Sequence, residues 1–444
     1  LKGPDTKLRG AGHRLRAALG RATTLLALIM ALCSAAQSAE SPRQQLANAK
    51  LGLFVHYVFG LTQAAPGEPP LADVNAFGNA LDVDGIAQMA KSMGAQYVVF
   101  TSMHWRMTVL FPSHVWGGLF PDHVTKRDLV GDLAKALDRE HIRLVLYVHP
   151  DDRHDFTTPM LQKLIKSGFC SPFFHGGEPH DPRWNRLYYR LLEEIGRRYG
   201  KAVAGYWEDD RGGSSNGEKV QGIMERYTPE AAIWVNGNTS RPPATLVGGE
   251  NWKLFDHNPA PHLYNTSTHQ AAIVIAKDWW ATRGKLSYTP ASLYRFLICS
   301  IGTQGQKNGG VLYATSPFSN NQWASGVREG FAALGKMVRA RAKAIYDTVP
   351  SRAYVSGESV KEKPQWGVAV DSLDGRTVYL HVLMQPSGRT LQIAKAANGV
   401  AFSRAAFLNS KSVRIRPNRF GYRLDLPASA AWDPVDTVIA LHVK

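Results

Sequence analysis

The sequence predicts an α/β protein, a (β/α)8-like, TIM-type barrel followed by a C-terminal antiparallel β-sandwich, on three observations. Short, near-continuous apolar runs alternate with amphipathic helical stretches through most of the chain, the pattern of a parallel sheet buried on both faces. No GxGxxG or GxxxxGKS/T follows any of these runs, which sets the barrel ahead of a doubly wound nucleotide-binding sheet. Beyond Val349-Pro350-Ser351 the runs shorten and are divided by Asp-Gly, Pro-Ser-Gly and Ala-Asn-Gly turn signals. The organisation expected is a leader over 1–39, a barrel over 40–346 and a sandwich over 347–444.

Residues 51–59 (LGLFVHYVF) read as the first strand and 83–93 (VDGIAQMAKSM) as a helix with one apolar face. Residues 96–101 form the next strand, 127–140 a helix, 142–149 (IRLVLYVH) a strand and 184–199 a long helix. Strands follow at 203–208 (VAGYWE) and 233–236 (IWVN), and a last helical block covers 323–346. The sandwich strands are read at 365–370, 378–383, 412–415 and 437–443.

The chain has 444 residues, 44% hydrophobic, 20% charged and 10% aromatic, which excludes a disordered, collagen-like or disulfide-scaffold protein. Its formal charge is +16. Lys2, Lys7, Arg9, Arg14, Arg16 and Arg21, against Asp5, precede an apolar run (LLALIMALC, 25–33) too short to span a bilayer. Ala36-Gln37-Ser38 then offers an A-x-A-like cleavage site, so residues 1–39 read as a cleavable signal peptide of a secreted or periplasmic protein. Leu32 before Cys33 fits a lipoprotein signal poorly, and no stable membrane anchor is expected.

The rest of the charge reads as spread over helices, with Arg339-Ala340-Arg341-Ala342-Lys343 a solvated face, and no nucleic-acid partner is expected. Cys170 and Cys299 are too far apart in sequence for a CxxC motif. They read as two buried thiols, with a disulfide between them the alternative.

Chemistry in such a barrel gathers at the C-terminal strand ends. Those ends carry His56, Tyr57, His104, Trp105, Tyr147, His149, Trp207, Asp209, Asp210 and Asn236. Aromatic faces interleaved with histidines and carboxylates suit a sugar, whose hydroxyls need hydrogen-bond partners.

Leu51-Gly52-Leu53-Phe54-Val55-His56 resembles the FGIFIHWG strand of the glycoside hydrolase family 29 α-L-fucosidases. Residues 94–104 are similar to that family's GAKYVVLTAKHH, 126–133 to KRDLVGEL, Leu146-Tyr147 to its LYYS strand and 205–209 (GYWED) to GLWFD. Residues 309–312 (GGVL) and 433–441 resemble the family's GGNLLLNVGP segment and the closing strand of its sandwich, so the likeness runs in order from about 48 to 444.

The resemblance implies a retaining hydrolase with Asp209 as nucleophile, acting on a fucosylated glycan or glycoside and needing no metal or organic cofactor. The acid/base candidate is Glu250, 41 residues downstream in Gly248-Gly249-Glu250-Asn251-Trp252 on an expected βα loop, where burial beside Trp252 would raise its pKa. The family's alternative WE segment reads His269-Gln270 here, and Gln is no acid. His56 and His104 match sugar-binding histidines, and Trp207 matches a Trp that stacks on the sugar or packs the pocket wall; Trp105, Tyr147 and His149 complete the expected contacts.

The HHDGF segment reads His104-Trp105-Arg106-Met107-Thr108, and no EWY segment is recognisable, Glu68 being the one acid between Gly60 and Asp73. These departures leave two alternatives: a non-catalytic carbohydrate-binding protein, or a glycosidase for another 6-deoxy or pentose sugar. The cluster His149, Asp151, Asp152, His154 and Asp155 has metal-ligating chemistry, but the likeness places it on the loop after the third strand, a place for substrate contacts. There is no HExxH and no GxSxG. Oligomeric state is left open.

Overall fold

The computed structural model describes residues 40–104, 106–150, 156–172, 181–209, 216–236, 241–251, 270–276, 279, 284–303, 310–356 and 364–444, with the backbone alone for Glu250, Asn251, Gln270, Ala271 and Ile273. Eight parallel strands follow one another along the first part of the chain: β1 (Leu51–Val55), β2 (Tyr97–Thr101), β3 (Arg143–Val148), β4 (Gly205–Glu208), β5 (Ala232–Val235), β6 (Gly248–Asn251), β7 (Gln270–Val274) and β8 (Val311–Ala314). They hydrogen-bond in the order β5-β4-β3-β2-β1-β8-β7-β6, chain order read round a ring and interrupted between β5 and β6. Every pairing is parallel, with Leu53 opposite Val98 and Tyr147 opposite Trp207.

The sheet is curled, and alternate residues of each strand go to two different cores. Phe54, Tyr97, Val99, Tyr147, Trp207, Trp234 and Leu312 gather on one face. Leu53, Val98, Leu146, Tyr206, Ile233 and Tyr313 pack on the other, against the helices. Burial on both faces is why these strands are apolar throughout rather than alternating. Gly248 sits hard against the Trp234 indole: a Cβ there would lie 2.5 Å from the ring.

The helices packed on the outer face include α1 (Val83–Met93), α2 (Leu129–Arg139), α3 (Pro182–Tyr199), α4 (Pro290–Gly302) and α5 (Val327–Ala340). Asp82 caps α1 by accepting from the Gly85 amide, and the helix stops at Gly94, whose φ of 86° gives the left-handed turn that glycine supplies without strain. The Lys126-Arg127-Asp128-Leu129 segment is structural. Asp128 caps α2 and accepts the Tyr199 hydroxyl at 2.7 Å, while Arg127 binds Asp132 at 2.9 Å and the Leu81 carbonyl at 2.8 Å.

From Thr348 the chain becomes antiparallel: β9 (Thr348–Pro350), β10 (Gly367–Ser372), β11 (Thr377–Val382), β12 (Thr390–Ala394), β13 (Phe402–Phe407), β14 (Ser412–Asn418), β15 (Gly421–Asp425) and β16 (Thr437–Val443). They form one hydrogen-bonded sheet in the order β9-β10-β11-β16-β13-β14-β15-β12. Residues 412–413 of β14 pair with β13 and 414–418 with β15. The sheet folds over its own core of Leu380, Leu391, Ile393, Val413, Leu424 and Ile439. Val368, Val370, Tyr379 and Val438 leave by the opposite face to join the helix-side core.

At that junction Asp436, fully buried, accepts the Tyr294 hydroxyl at 2.6 Å and lies 2.8 Å from His381 Nδ1, and His381 Nε2 lies 3.0 Å from the Ala344 carbonyl. Arg341 donates to the Asp436 carbonyl and to the Asp433 carboxylate at 2.8 Å. This corrects the reading of 339–343 as a solvated face at Arg341 alone, for Arg339 and Lys343 are exposed, while the Arg341 side chain is 13% exposed and joins the helices to the antiparallel sheet.

Strand β6 corrects a second reading. Glu250 lies in a strand, in register with Ala272, and not on a loop. The sequence GGEN has weak strand propensity, and parallel pairing to β7 overrides it. Strands β7, β12, β13 and β15 and helix α4 also escaped the sequence patterns. No disulfide joins Cys170 and Cys299, which are both buried. The expected leader lies outside the described residues, among which no helix is long and apolar enough to cross a membrane.

Candidate functional site

The C-terminal ends of β1 to β5 bring together His56, His104, Tyr147, His149, Trp207, Asp209 and Asn236 from a span of 180 residues. Asp209 follows the last residue of β4, and its amide extends the sheet by donating to the Val148 carbonyl at 3.0 Å. Alternation along β4 separates its neighbours. Trp207 goes to the inner face, whereas Glu208 is fully buried on the helix side, where the Tyr188 hydroxyl donates to its Oε1 at 3.0 Å. The two acids therefore do not share an environment.

The Asp209 carboxylate is held at both oxygens. The Tyr147 hydroxyl donates to Oδ2 at 2.6 Å and the Asn236 amide to Oδ1 at 2.7 Å. His149 Nδ1 stands 3.6 Å from Oδ2, beyond hydrogen-bond reach but close enough for charge to be felt. Burial acts to raise the pKa of this carboxyl; His149, the two hydrogen bonds and His104 together outweigh it and leave it below the ordinary aspartate value. The group is poised as a carboxylate at neutral pH.

The surrounding rings come from the same strand ends. His104 stacks on Tyr147 with centroids 5.2 Å apart and lies 4.9 Å from His149. His56 sits 3.8 Å from Phe54, 5.5 Å from Tyr147 and 5.2 Å from Trp279. Burial, then His104, lowers the His56 pKa well below the ordinary histidine value despite the nearby Asp209 carboxylate, so its imidazole is neutral. Ser102 fixes the turn beneath, its amide and hydroxyl both donating to the Tyr147 carbonyl, at 3.0 and 2.8 Å. The Trp207 ring is completely buried between Phe54 and Trp234, so it packs the wall under Asp209.

Tyr57, grouped with the strand ends in the sequence, belongs elsewhere: its ring stacks on Phe77 at 4.0 Å and its hydroxyl donates to the Phe77 carbonyl at 3.0 Å. Trp105, Asp210 and 151–155 lie outside the described residues, and Glu250 is described by its backbone. Among the described residues no group of three or more His, Cys, Asp or Glu is placed to hold a metal ion. Sequence reasoning missed the Asn236 bond to Asp209 and the presence of Trp279. Asn236 carried a signal in its place at a strand end, and Trp279, after β7, in the likeness of Asp278-Trp279-Trp280 to the SWGY-like sequence that follows the family's WE segment.

A family model described as alpha-L-fucosidase matches residues 77–306. Tissue alpha-L-fucosidase of Bos taurus is 34% identical over 92 residues, and this match spans 20% of the chain and 19% of that protein, about a fifth of each. Alpha-L-fucosidase isoenzyme 1 from Paenibacillus thiaminolyticus superposes with a TM-score of 0.67 at 19% identity, covering 91% of this chain and 99% of the other. A GH29 alpha-L-fucosidase from Bacteroides thetaiotaomicron, trapped as a covalent intermediate in complex with 2-fluoro-fucosyl fluoride, gives 0.66 at 19% identity over 91% and 97%. The Thermotoga maritima alpha-fucosidase with a mechanism-based inhibitor gives 0.61 at 15% over 91% and 97%. At these identities the solved structures share the fold.

Proposed function

The chain belongs to the alpha-L-fucosidase family, and from that premise we propose that it is an exported, retaining glycoside hydrolase that releases terminal L-fucose, or a closely related sugar, from a glycan or glycoside. The observation that carries the reading is the Asp209 carboxylate at the end of β4, ionised and held at both oxygens within a ring of histidines and aromatic side chains. In the first step Asp209 attacks the anomeric carbon and the glycosidic oxygen leaves with a proton, giving a glycosyl ester. Water then attacks that ester, and the Asp209 carboxylate is regenerated.

Tyr147 and Asn236 fix the attacking oxygens, so the nucleophile is oriented before substrate arrives. Neutral His56, with His104 and His149, would bind sugar hydroxyls, and Trp105 is assigned as a further sugar contact. Glu250 is the proposed proton donor, from its place in β6. A retaining pair requires carboxyls about 5–5.5 Å apart. The parallel strands are read as closing into a barrel between β5 and β6, supported by Gly248 against Trp234 and by the ring-like strand order. The barrel is assigned to 40–346 and the sandwich to 347–444, and export to the leader pattern in 1–39.

The test is turnover of an aryl α-L-fucoside together with intact mass after exposure to 2-fluoro-fucosyl fluoride. The expected result is hydrolysis with retention and one added fluorofucosyl group on the wild type, with neither on Asp209→Ala. Normal turnover by Asp209→Ala would remove the nucleophile, and binding of fucosides without hydrolysis of any aryl glycoside would remove the enzyme.

A further inference from the structure

Residues 385–444 contain nine Lys or Arg against three acids. Two of those acids are committed at the junction with the helices, Asp436 to His381 and Tyr294 and Asp433 to Arg341. The charge is therefore gathered, contrary to its expected spread over helices. Its centre is the outer face of β14 and β15, where Arg414 stands opposite Asp425 and Arg416 directly opposite Arg423. Like charges at opposed positions destabilise a sheet.

Here one carboxylate serves both arginines: Arg416 bonds Asp425 Oδ2, and Arg423 Nε donates to Oδ1 at 2.8 Å. These bonds, that of Arg423 first, hold the Asp425 carboxyl down to about 2. One negative charge against three guanidiniums leaves a surplus, and the Arg416 and Arg423 side chains remain about half exposed, at 46% and 50%. The next strand, β12, places Gln392 opposite Arg423, and its side-chain amide exchanges hydrogen bonds with that of Asn418 at 2.9 and 3.3 Å. At the β14–β15 turn Phe420 is 62% exposed with the Arg419 guanidinium 4.6 Å above its ring.

We propose that this face of β12, β14 and β15 binds an anionic polysaccharide, a chain of sulfated or carboxylated sugars, at strands that carry no residue of the Asp209 site. Guanidinium forks match sulfate and carboxylate oxygens two at a time, the paired amides offer donors and acceptors to hydroxyls, and the single ring at the turn offers a platform for one sugar face. A surface for single-stranded nucleic acid stacks successive bases on several aromatic side chains, and this face presents one. The choice of a glycan over another polyanion rests on the carbohydrate reading of the Asp209 site. The surface would hold polymeric substrate near the protein without taking part in bond cleavage.

The test is affinity electrophoresis of the full chain in gels containing a sulfated galactan, neutral dextran or single-stranded DNA, at two salt concentrations. The wild type should be retarded by the sulfated galactan, less so at high salt, and not by dextran. Arg414→Ser/Arg419→Ser, which leaves the Arg416–Asp425–Arg423 bridge intact, and Phe420→Ala should each weaken retardation at least about fivefold while aryl α-L-fucoside turnover stays at wild-type level. Undiminished retardation of both variants, or tighter binding of DNA through the same residues, would overturn the proposal. Absence of turnover in the wild type would sink the catalytic reading and leave the galactan result to stand on its own.

Discussion

The hydroxyl of Tyr147 reaches across one strand spacing to donate to Oδ2 of Asp209 at 2.6 Å, because register sets Tyr147 opposite Trp207 and Asp209 follows two residues later on the same face. A tyrosine expected to contact substrate donates to the carboxylate proposed as nucleophile. A hydrogen bond to a charged group contributes about 1.5–3 kcal/mol. Tyr147→Phe should lower kcat/KM about 10- to 100-fold and move the acid limb of its pH profile upward, since one of the groups holding the Asp209 pKa down is lost. An acid limb that stays in place would show that Tyr147 does not support the carboxylate.

Asn236 supports the other oxygen, at 2.7 Å. Asn236→Asp replaces a donor by a second carboxylate at hydrogen-bond distance, and two such groups must share a proton. Activity should fall steeply at neutral pH, because the shared proton spends part of its time on Asp209. The acid limb of the kcat/KM profile should rise further than in Tyr147→Phe. A profile like that of the wild type would place Asn236 outside the machinery.

Burial holds His56 neutral, with a folded pKa well below its unfolded value of about 6.5. Above pH 6.5 neither state binds the proton, so nothing is lost. Below it the unfolded chain takes up a proton that the native site refuses, and stability falls by up to about 1.4 kcal/mol per pH unit until the folded pKa is reached. Urea midpoints measured from pH 7 to pH 5 should therefore decline more for the wild type than for His56→Gln. Parallel declines would mean that His56 takes its proton in the folded protein.

Asp436, fully buried, accepts from Tyr294 and is hydrogen-bonded with His381. Asp436→Asn removes the charge and one acceptor from a site with no access to water. Breaking a buried pair costs about 3–5 kcal/mol, and the retained amide oxygen offsets a part of that. The thermal midpoint should fall by several degrees with the aryl-fucoside KM little changed, because the substitution acts at the junction of sheet and helices. An unchanged midpoint would remove this network from the account of stability.

Much of the fold was legible because buried parallel strands are apolar on both faces and stop abruptly at polar residues. Residues 51–55, 97–101 and 143–148 announce themselves in that way, and His56, Tyr147 and Asp209 could be named from their places at strand ends. Strand β6, with the sequence GGEN, could not be read, since nothing in two glycines, an acid and an amide prefers a strand; a parallel neighbour confers it. Arg341 was misread for a related reason. Alternating basic residues describe a solvated helix face until another sheet supplies acceptors, here the exposed Asp433 carboxylate and the carbonyl of buried Asp436.

By itself the sequence determined the class of the fold, its likeness to one hydrolase family and the residue types at the strand ends, all of which are local patterns of polarity and spacing. Only the tertiary structure decided what those residues do to one another. The bonds from Tyr147 and Asn236 to Asp209 join positions 62 and 27 residues apart, and the pairing of Arg416 with Arg423 around Asp425 depends on a turn and a register. Such contacts arise from strand adjacency, which brings distant residues within 3 Å and lets burial and neighbouring charge set their ionisation.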